Sequence, residues 1–310
     1  MPMSLLAWAL LLALSCLWGS SYFVIEIALR DLPVMTIVAG RLVLAAVVLW
    51  LVVVATGNAG KVPRSLRAWG VFAIMGLLNN VAPFVLIVWG QTEITSSLAS
   101  ILNATTPIFA VIVAALFLRD EPITRARVIA VLIGFAGVIV MVGPDALHDL
   151  GRNVLAQFAV VLAGLSYACA SVYGRRYLAA GVPPSVNSAC QISMSACMLL
   201  PFAIAEGGAA KLVAAAPSSW AALLSLAVLS TALAYLLYFR LLATAGATNL
   251  MLVTFLIPVT AILLGTTLLG EVLHASEVGG MLLIALALVV IDGRVFRRRR
   301  SPPVSRPRST

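Results

Sequence analysis

Arg119-Asp120-Glu121-Pro122-Ile123-Thr124-Arg125-Ala126-Arg127 and Gly270-Glu271-Val272-Leu273-His274-Ala275-Ser276-Glu277 occupy equivalent places in two halves of one repeated sequence. The first stretch carries three arginines, whereas the second carries neither Lys nor Arg. Basic side chains are retained on the cytoplasmic side of a membrane, so the two loops are expected to face opposite sides. A shift of 151 positions sets the register, placing Trp69 on Trp220, Leu78 on Leu229 and Pro107 on Pro258 without a gap. Each copy carries five hydrophobic segments. Because five is odd, the second copy enters the membrane from the other side, and a site is expected between the halves near mid-membrane.

Composition supports a polytopic membrane chain. Of 310 residues, 62% are hydrophobic and 10% are charged, with a mean hydropathy of +1.10; globular soluble chains carry about 25% charged residues. The net charge of +9 is concentrated in seven arginines between Arg294 and Arg308. Such clusters beside a membrane helix act as topology signals or lipid contacts, and no nucleic-acid partner is implied. Cys16, Cys169, Cys190 and Cys197 lie in apolar segments without CxxC spacing, and His148 and His274 lie in loops. No metal site, disulfide framework or cofactor is expected. The first segment lacks a basic leader region and a cleavage pattern, and reads as a retained helix.

An all-α fold of ten transmembrane helices follows, each segment being roughly long enough for a ~30 Å hydrocarbon core. The segments run Leu5–Ile27, Pro33–Val54, Trp69–Trp89, Ser96–Leu118 and Arg125–Val142, then Val154–Tyr173, Ser185–Ala205, Trp220–Phe239, Ala247–Leu269 and Val278–Ile291. The repeats cover residues 1–144 and 145–292, and residues 293–310 read as a basic cytoplasmic tail without fixed structure. With the N-terminus inside, sixteen of the twenty basic residues fall in inner loops or the tail. Only Arg30, Arg152 and Lys211 fall outside, and Arg41 lies within a helix. Both termini are therefore expected in the cytoplasm.

Lipid requires no polar side chains, so polar groups recurring at one depth in both copies carry information. Under the shift of 151, Asn79 and Asn80 match Ser230 and Thr231, and Asn103 matches Thr254. With a shift of 145, Gly19-Ser20-Ser21-Tyr22 matches Gly164-Leu165-Ser166-Tyr167; with 150, Arg41 matches Gln191. Ser, Thr and Asn can serve as interhelical glue worth ~0.6 kcal/mol each. Adjacent carboxamides at Asn79 and Asn80 point about 100° apart on a helix and cannot both bind one neighbour, which favours a cavity role. Pro107 and Pro258 are expected to bend their helices and free a carbonyl one turn back, near Asn103 and Thr254, to be capped locally or offered to a ligand.

Charged candidates are few. Glu26 stands four residues before Arg30, which fits a surface pair. Arg41 lies two turns into the second segment, where an unpaired charge costs ~2.5–3.5 kcal/mol on insertion scales. Its partner is either Glu26 or a carboxylate on a bound molecule. Tyr235 and Tyr238 either line a cavity or belong to the interfacial belt.

Trp18-Gly19-Ser20-Ser21 followed by Arg41, Pro107 with Asp120-Glu121, Tyr167 with Arg175-Arg176, and Pro258 through Leu269-Gly270-Glu271 resemble the two EamA repeats of the drug/metabolite transporter superfamily. The resemblance covers the chain up to Ile291. It implies a ten-helix exporter of amino acids, related metabolites or drugs in a bacterial inner membrane, with a cavity lined by helices one, three, four, six, eight and nine. Many members carry Lys where this chain has Glu26, so a cationic role there is not carried over. Both lysines, Lys61 and Lys211, lie in loops, which disfavours phosphate esters.

The expected function is small-molecule export by a monomer in the lipid bilayer, through alternating access between the inverted repeats. The substrate-binding candidates are Trp18, Ser21, Tyr22, Arg41, Asn79, Asn80, Asn103, Tyr167, Ser230, Thr231, Tyr235 and Thr254, with Pro107 and Pro258 bending the helices. A lipid or polyprenol flippase is the alternative class, as is drug efflux. No catalytic residue is assigned, because the chain lacks HExxH and GxSxG patterns. Reporter fusions at Gly60, Glu121 and Arg300 should report cytoplasm, and fusions at Asp149 and His274 the outer side. A cytoplasmic His274 would overturn the inversion.

Overall fold

A computed structural model of the chain describes residues 4–118, 125–147, 153–177, 181–250, 252–268 and 275–292. Loop residues 119–124 and 269–274, which carry much of the charge argument, lie outside the described residues, as do His148, Arg152 and the tail 293–310. All regular structure among the described residues is helical. The helices are α1 (Leu5–Ala28), α2 (Val34–Ala55), α3 (Leu66–Gly90), α4 (Ser96–Asn103 and Thr106–Phe117), α5 (Arg125–Leu147), α6 (Val154–Tyr177), α7 (Pro184–Ala205), α8 (Pro217–Ala245), α9 (Val253–Leu268) and α10 (Ala275–Asp292). Single short turns of helix at Gly208–Ala214 and Ala247–Leu250 precede α8 and α9.

Seven of these, α1 to α4 and α6 to α8, are long and apolar enough to cross a membrane. Within the described residues α5 and α10 contain shorter apolar runs, Val128–Val140 and Val278–Ala287, and α9 has 16 residues. The sequence reads α4 as one span bent at Pro107, and the structure goes further, breaking it at Ala104 and Thr105. Pro107 causes the break. It has no N–H for the Asn103 carbonyl, and its ring crowds that carbonyl.

Leu12, Phe23, Leu51, Ile74, Ile112, Leu116, Phe202 and Leu224 are exposed, so the outer surface is as apolar as the core. A chain apolar on both faces is built for lipid. Lipid gives no hydrophobic drive between helices, so close packing and polar contacts hold them together. Gly76 illustrates the closeness of α3 to α7: a Cβ there would stand 2.6 Å from Ser195 Oγ and 3.0 Å from the Gln191 carbonyl. Gly137 does the same for α5, where a Cβ would lie 2.9 Å from the Gly280 carbonyl of α10.

The principal pairings between the halves obey an exchange rule. Helix α1 packs on α9 and α8, and its counterpart α6 packs on α4 and α3. Helix α2 packs on α8, and its counterpart α7 packs on α3. The pairs α2 with α7 and α5 with α10 map onto themselves. The duplication visible in the sequence is therefore also a duplication of contacts, with the interface of the halves running through the middle of the bundle.

One tie across that interface is charged. The first residue before α8 is Ala216, whose side chain cannot cap a helix. Asp31, in the turn between α1 and α2, does so instead: its Oδ2 accepts from Ser219 Oγ at 2.6 Å and from the Ala216 N–H at 3.1 Å. The Ser219 hydroxyl, then the Ala216 N–H, hold the carboxyl below its ordinary range. A depressed folded-state pKa contributes stability above the unfolded value and loses it as pH falls through the folded one. In detergent, the Tm gap between wild type and Asp31→Asn should be constant around neutrality and shrink as pH drops through the acidic carboxylate range. A gap that ignores pH would show that the Asp31 charge contributes nothing.

Candidate functional site

Both halves contain a short π-helical stretch in the same register. In α3 it is Leu77–Val81 and in α8 it is Val228–Leu233. A π turn lengthens the backbone hydrogen bonds to i+5 and frees carbonyls that must find other donors when buried. Each half supplies donors to the other. Tyr235 Oη donates to the Asn79 carbonyl at 2.8 Å, and Ser166 Oγ donates to the Leu78 carbonyl at 2.7 Å. In return Trp18 Nε1 and Arg41 Nη2 donate to the Ser230 carbonyl at 3.2 and 3.1 Å.

Side chains repeat the exchange. Arg41 Nε donates to Thr231 Oγ1 at 2.6 Å. Its repeat counterpart Gln191 donates through Nε2 to Asn80 Oδ1, the counterpart of Thr231. Asn80 is fully buried: it also accepts from Ser195 Oγ at 3.3 Å and donates Nδ2 to Tyr235 Oη at 2.6 Å. The two crosslinks differ in charge. The guanidinium of Arg41 lies 3.9 Å above the Phe84 ring centroid and, among the described residues, meets no carboxylate.

In front of Arg41 opens a cavity of about 40 Å³, counted as space open to the centre of a water molecule, which is room for about three waters. Trp18, Ser21, Tyr22, Arg41, Asn103, Tyr167 and Thr254 line it, all of them expected from sequence. Tyr238, weighed between cavity and belt, lines it as well, with Ile25, Phe84, Ile87, Val88, Thr106 and Ile257. Asn103 and Thr254 are repeat counterparts, as are Tyr22 and Tyr167, so the cavity straddles the axis relating the halves.

The structure does not bring every candidate to the cavity. Asn79, Asn80, Ser230, Thr231 and Tyr235 form the buried framework behind Arg41 and are absent from the lining. The cavity role expected for the Asn79 and Asn80 pair gives way to a structural one for Asn80, whose bonds are all taken by the other half. Asn79 differs. Its Nδ2 has no well-aligned partner, nor has the Tyr238 hydroxyl, and the two groups face each other beside the cavity. The carbonyl freed by Pro107 is capped locally: Thr106 Oγ1 donates to the Asn103 oxygen at 2.6 Å.

Glu26 is exposed and its Oε2 accepts from Ser96 Oγ at 2.6 Å. Among the described residues no ion pair joins it to Arg30 or Arg41. Its helix position explains this, because Glu26 stands at the C-terminal end of α1, beside the start of α4 rather than over the cavity.

Replacing Asn80 with Leu should strand the Gln191 amide N–H, costing about 1–3 kcal/mol when buried without a partner, and remove the bond from Asn80 to Tyr235, whose hydroxyl keeps the Asn79 carbonyl. Asn79→Leu removes a group whose contact with the Tyr238 hydroxyl is poorly aligned. A detergent melt should therefore fall clearly for Asn80→Leu and little for Asn79→Leu. Equal losses would contradict the division of the pair.

Comparison with known proteins agrees with this geometry. The EamA-like transporter family matches residues 5–143 and again 154–292. An "Uncharacterized transporter" of Archaeoglobus fulgidus is 27% identical over 92% of this chain and 98% of its own. The "Uncharacterized inner membrane transporter YedA" of Escherichia coli strain K12 is 27% identical over 92% and 91%. A "Probable terminal-alkyne amino-acid exporter" of Streptantibioticus cattleyicolor is 30% identical over 97% of both chains. One crystal structure superposes with a TM-score of 0.71 at 20% identity, covering 94% of this chain and 99% of the other, which supports the fold alone. With both repeats matched and the relatives aligned end to end, the chain is a multi-pass membrane protein and belongs to the EamA-like transporter family.

Proposed function

We propose that the protein exports amino acids or related small carboxylated metabolites across a bacterial inner membrane. In this reading ten helices cross as two inverted five-helix repeats, both termini are cytoplasmic, and the cargo binds between the repeats by alternating access. The observation that carries it is Arg41: a buried guanidinium that lines the central cavity, is anchored by the opposite half and has no carboxylate partner among the described residues. A buried charge without a counter-charge is costly, and a carboxylate on the cargo supplies that counter-charge in a bidentate geometry suited to guanidinium.

The other lining groups fit a small polar head on an apolar body. Tyr22, Tyr167 and Tyr238 offer hydroxyls, Asn103 and Thr254 offer polar groups from both halves, and Ile25, Phe84, Ile87 and Ile257 are apolar. The cavity is too small for such a cargo as it stands, so binding requires the halves to move. Asp31 bridges the halves at the end of the bundle where α1 stops and α8 starts, and its contact to Ser219 is one that opening at that end must break. The amino-acid exporter among the relatives points to the same class of cargo.

Reconstituted into liposomes, the protein should exchange internal for external amino acids or their carboxylated derivatives. Arg41→Gln should lower that rate by roughly tenfold or more, the loss expected for a charge-assisted hydrogen bond, while inserting normally. Wild-type exchange by the variant would remove Arg41 from the site and with it the basis of this reading.

A further inference from the structure

Resting on that transport reading, we propose that the Arg41 pocket takes its cargo as a net monoanion, a monocarboxylate on an apolar body, so that each outward crossing moves one negative charge. Three observations lead there. The first is the asymmetry of two otherwise equivalent crosslinks. Gln191 ties α7 to Asn80 and Arg41 ties α2 to Thr231 at matching places in the repeat. A neutral amide therefore suffices for the structural task, and the positive charge of Arg41 is surplus to it.

The second is what faces the guanidinium. From α1 comes Tyr22, from α6 Tyr167 and from α8 Tyr238; Tyr235 lies behind, within electrostatic reach. Hydroxyls can add hydrogen bonds to a carboxylate held by Arg41. None of them can neutralise an ammonium, no carboxylate is among the described residues of the lining, and Glu26 is exposed at the end of α1 on Ser96. A zwitterion would thus bring its own cation beside Arg41 and leave the occupied site at +1. A monoanion leaves it neutral, the cheaper state in a low-dielectric interior.

The third is the chemistry of the lining. Among the described residues it contains no Asp, Glu, His or Lys, so no carboxylate, imidazole or amine among them is placed to carry a proton against the cargo. The charge moved per cycle is then the charge of the cargo itself. With the cell interior negative, expulsion of a monoanion runs downhill, and one charge corresponds to an equilibrium ratio of about 50-fold per 100 mV.

The test uses a series with one skeleton: N-acetyl-leucine, which is monoanionic; leucine, which is zwitterionic; and N-acetyl-leucinamide, which is neutral. Proteoliposomes of the full chain are given an inside-positive potassium diffusion potential with valinomycin, or a pH gradient alone, with protein-free vesicles as the leak control. N-acetyl-leucine should accumulate in response to the potential, up to about 50-fold at 100 mV, and the pH gradient alone should drive nothing. Leucine and the amide should be slower and indifferent to potential. Arg41→Gln should abolish the preference for N-acetyl-leucine over the amide. Leucine moving as fast as N-acetyl-leucine, or accumulation driven by the pH gradient and not by potential, overturns the monoanion while leaving the exporter standing. Failure of every carboxylate to move overturns both.

Discussion

The structure depends on the backbone carbonyls that the two π turns leave without helical partners. In lipid such a group cannot fall back on water, so its donor must come from protein. Here the donors come from the opposite half: Tyr235 and Ser166 serve α3, while Trp18 and Arg41 serve α8. Each half relies on the other for part of its central backbone, although Thr231 Oγ1 serves the Leu226 carbonyl of its own helix. The halves are thereby held at mid-depth by bonds that are costly to leave unmade, and the ends of the bundle are where motion is cheaper. The alternating access proposed for the chain would use this distribution of strength.

Much of this was legible in the sequence, and the reason is the duplication. Odd-numbered repeats with opposite loop charge point to two halves, and matching polar residues at one shift point to mid-depth. Seven of the twelve binding candidates line the cavity because the same argument of recurring polarity selects groups near the axis. What the sequence concealed was direction around the helix. Asn80 and Asn103 are both buried amides at equivalent depth, yet a π turn rotates the first toward α7 while the break before Pro107 leaves the second on the cavity. Helical periodicity of 3.6 cannot report a local change to a wider turn, so Asn80, Thr231 and Tyr235 read as lining when they are framework.

Glu26 misled for a different reason. Its place inside the first hydrophobic segment made it the candidate carboxylate for Arg41, and counting charges alone gave the pair a good rationale. Geometry removes it, since α1 carries Glu26 to its end, where Ser96 takes the carboxylate. Phe84 had the opposite fate, lining the cavity without having been a candidate. An aromatic residue in an apolar segment gives no signal of its own, and only the repeat could have flagged Phe84, whose counterpart under the shift of 151 is Tyr235, the residue that ties Asn79 and Asn80 to α8.

Exchange of halves also bears on how a duplicated chain acquires a polar function. Two copies with identical side chains would line their axis with identical groups, adequate for a neutral ligand and poor for an oriented, charged one. The crosslink from α2 to Thr231 and the crosslink from α7 to Asn80 keep the same architecture, and only one carries a charge. Placing that charge over Phe84, with its Nε and Nη2 fixed by the other half, leaves the remaining guanidinium face committed to the cavity. The energetic penalty of the buried cation is reduced there by the hydrogen bonds its Nε and Nη2 make to Thr231 and the Ser230 carbonyl and by the Phe84 ring beneath it. Local departures from polar satisfaction that the rest of a fold can sustain tend to mark working sites. In this chain that departure falls on Arg41, where the two otherwise equivalent crosslinks differ in charge.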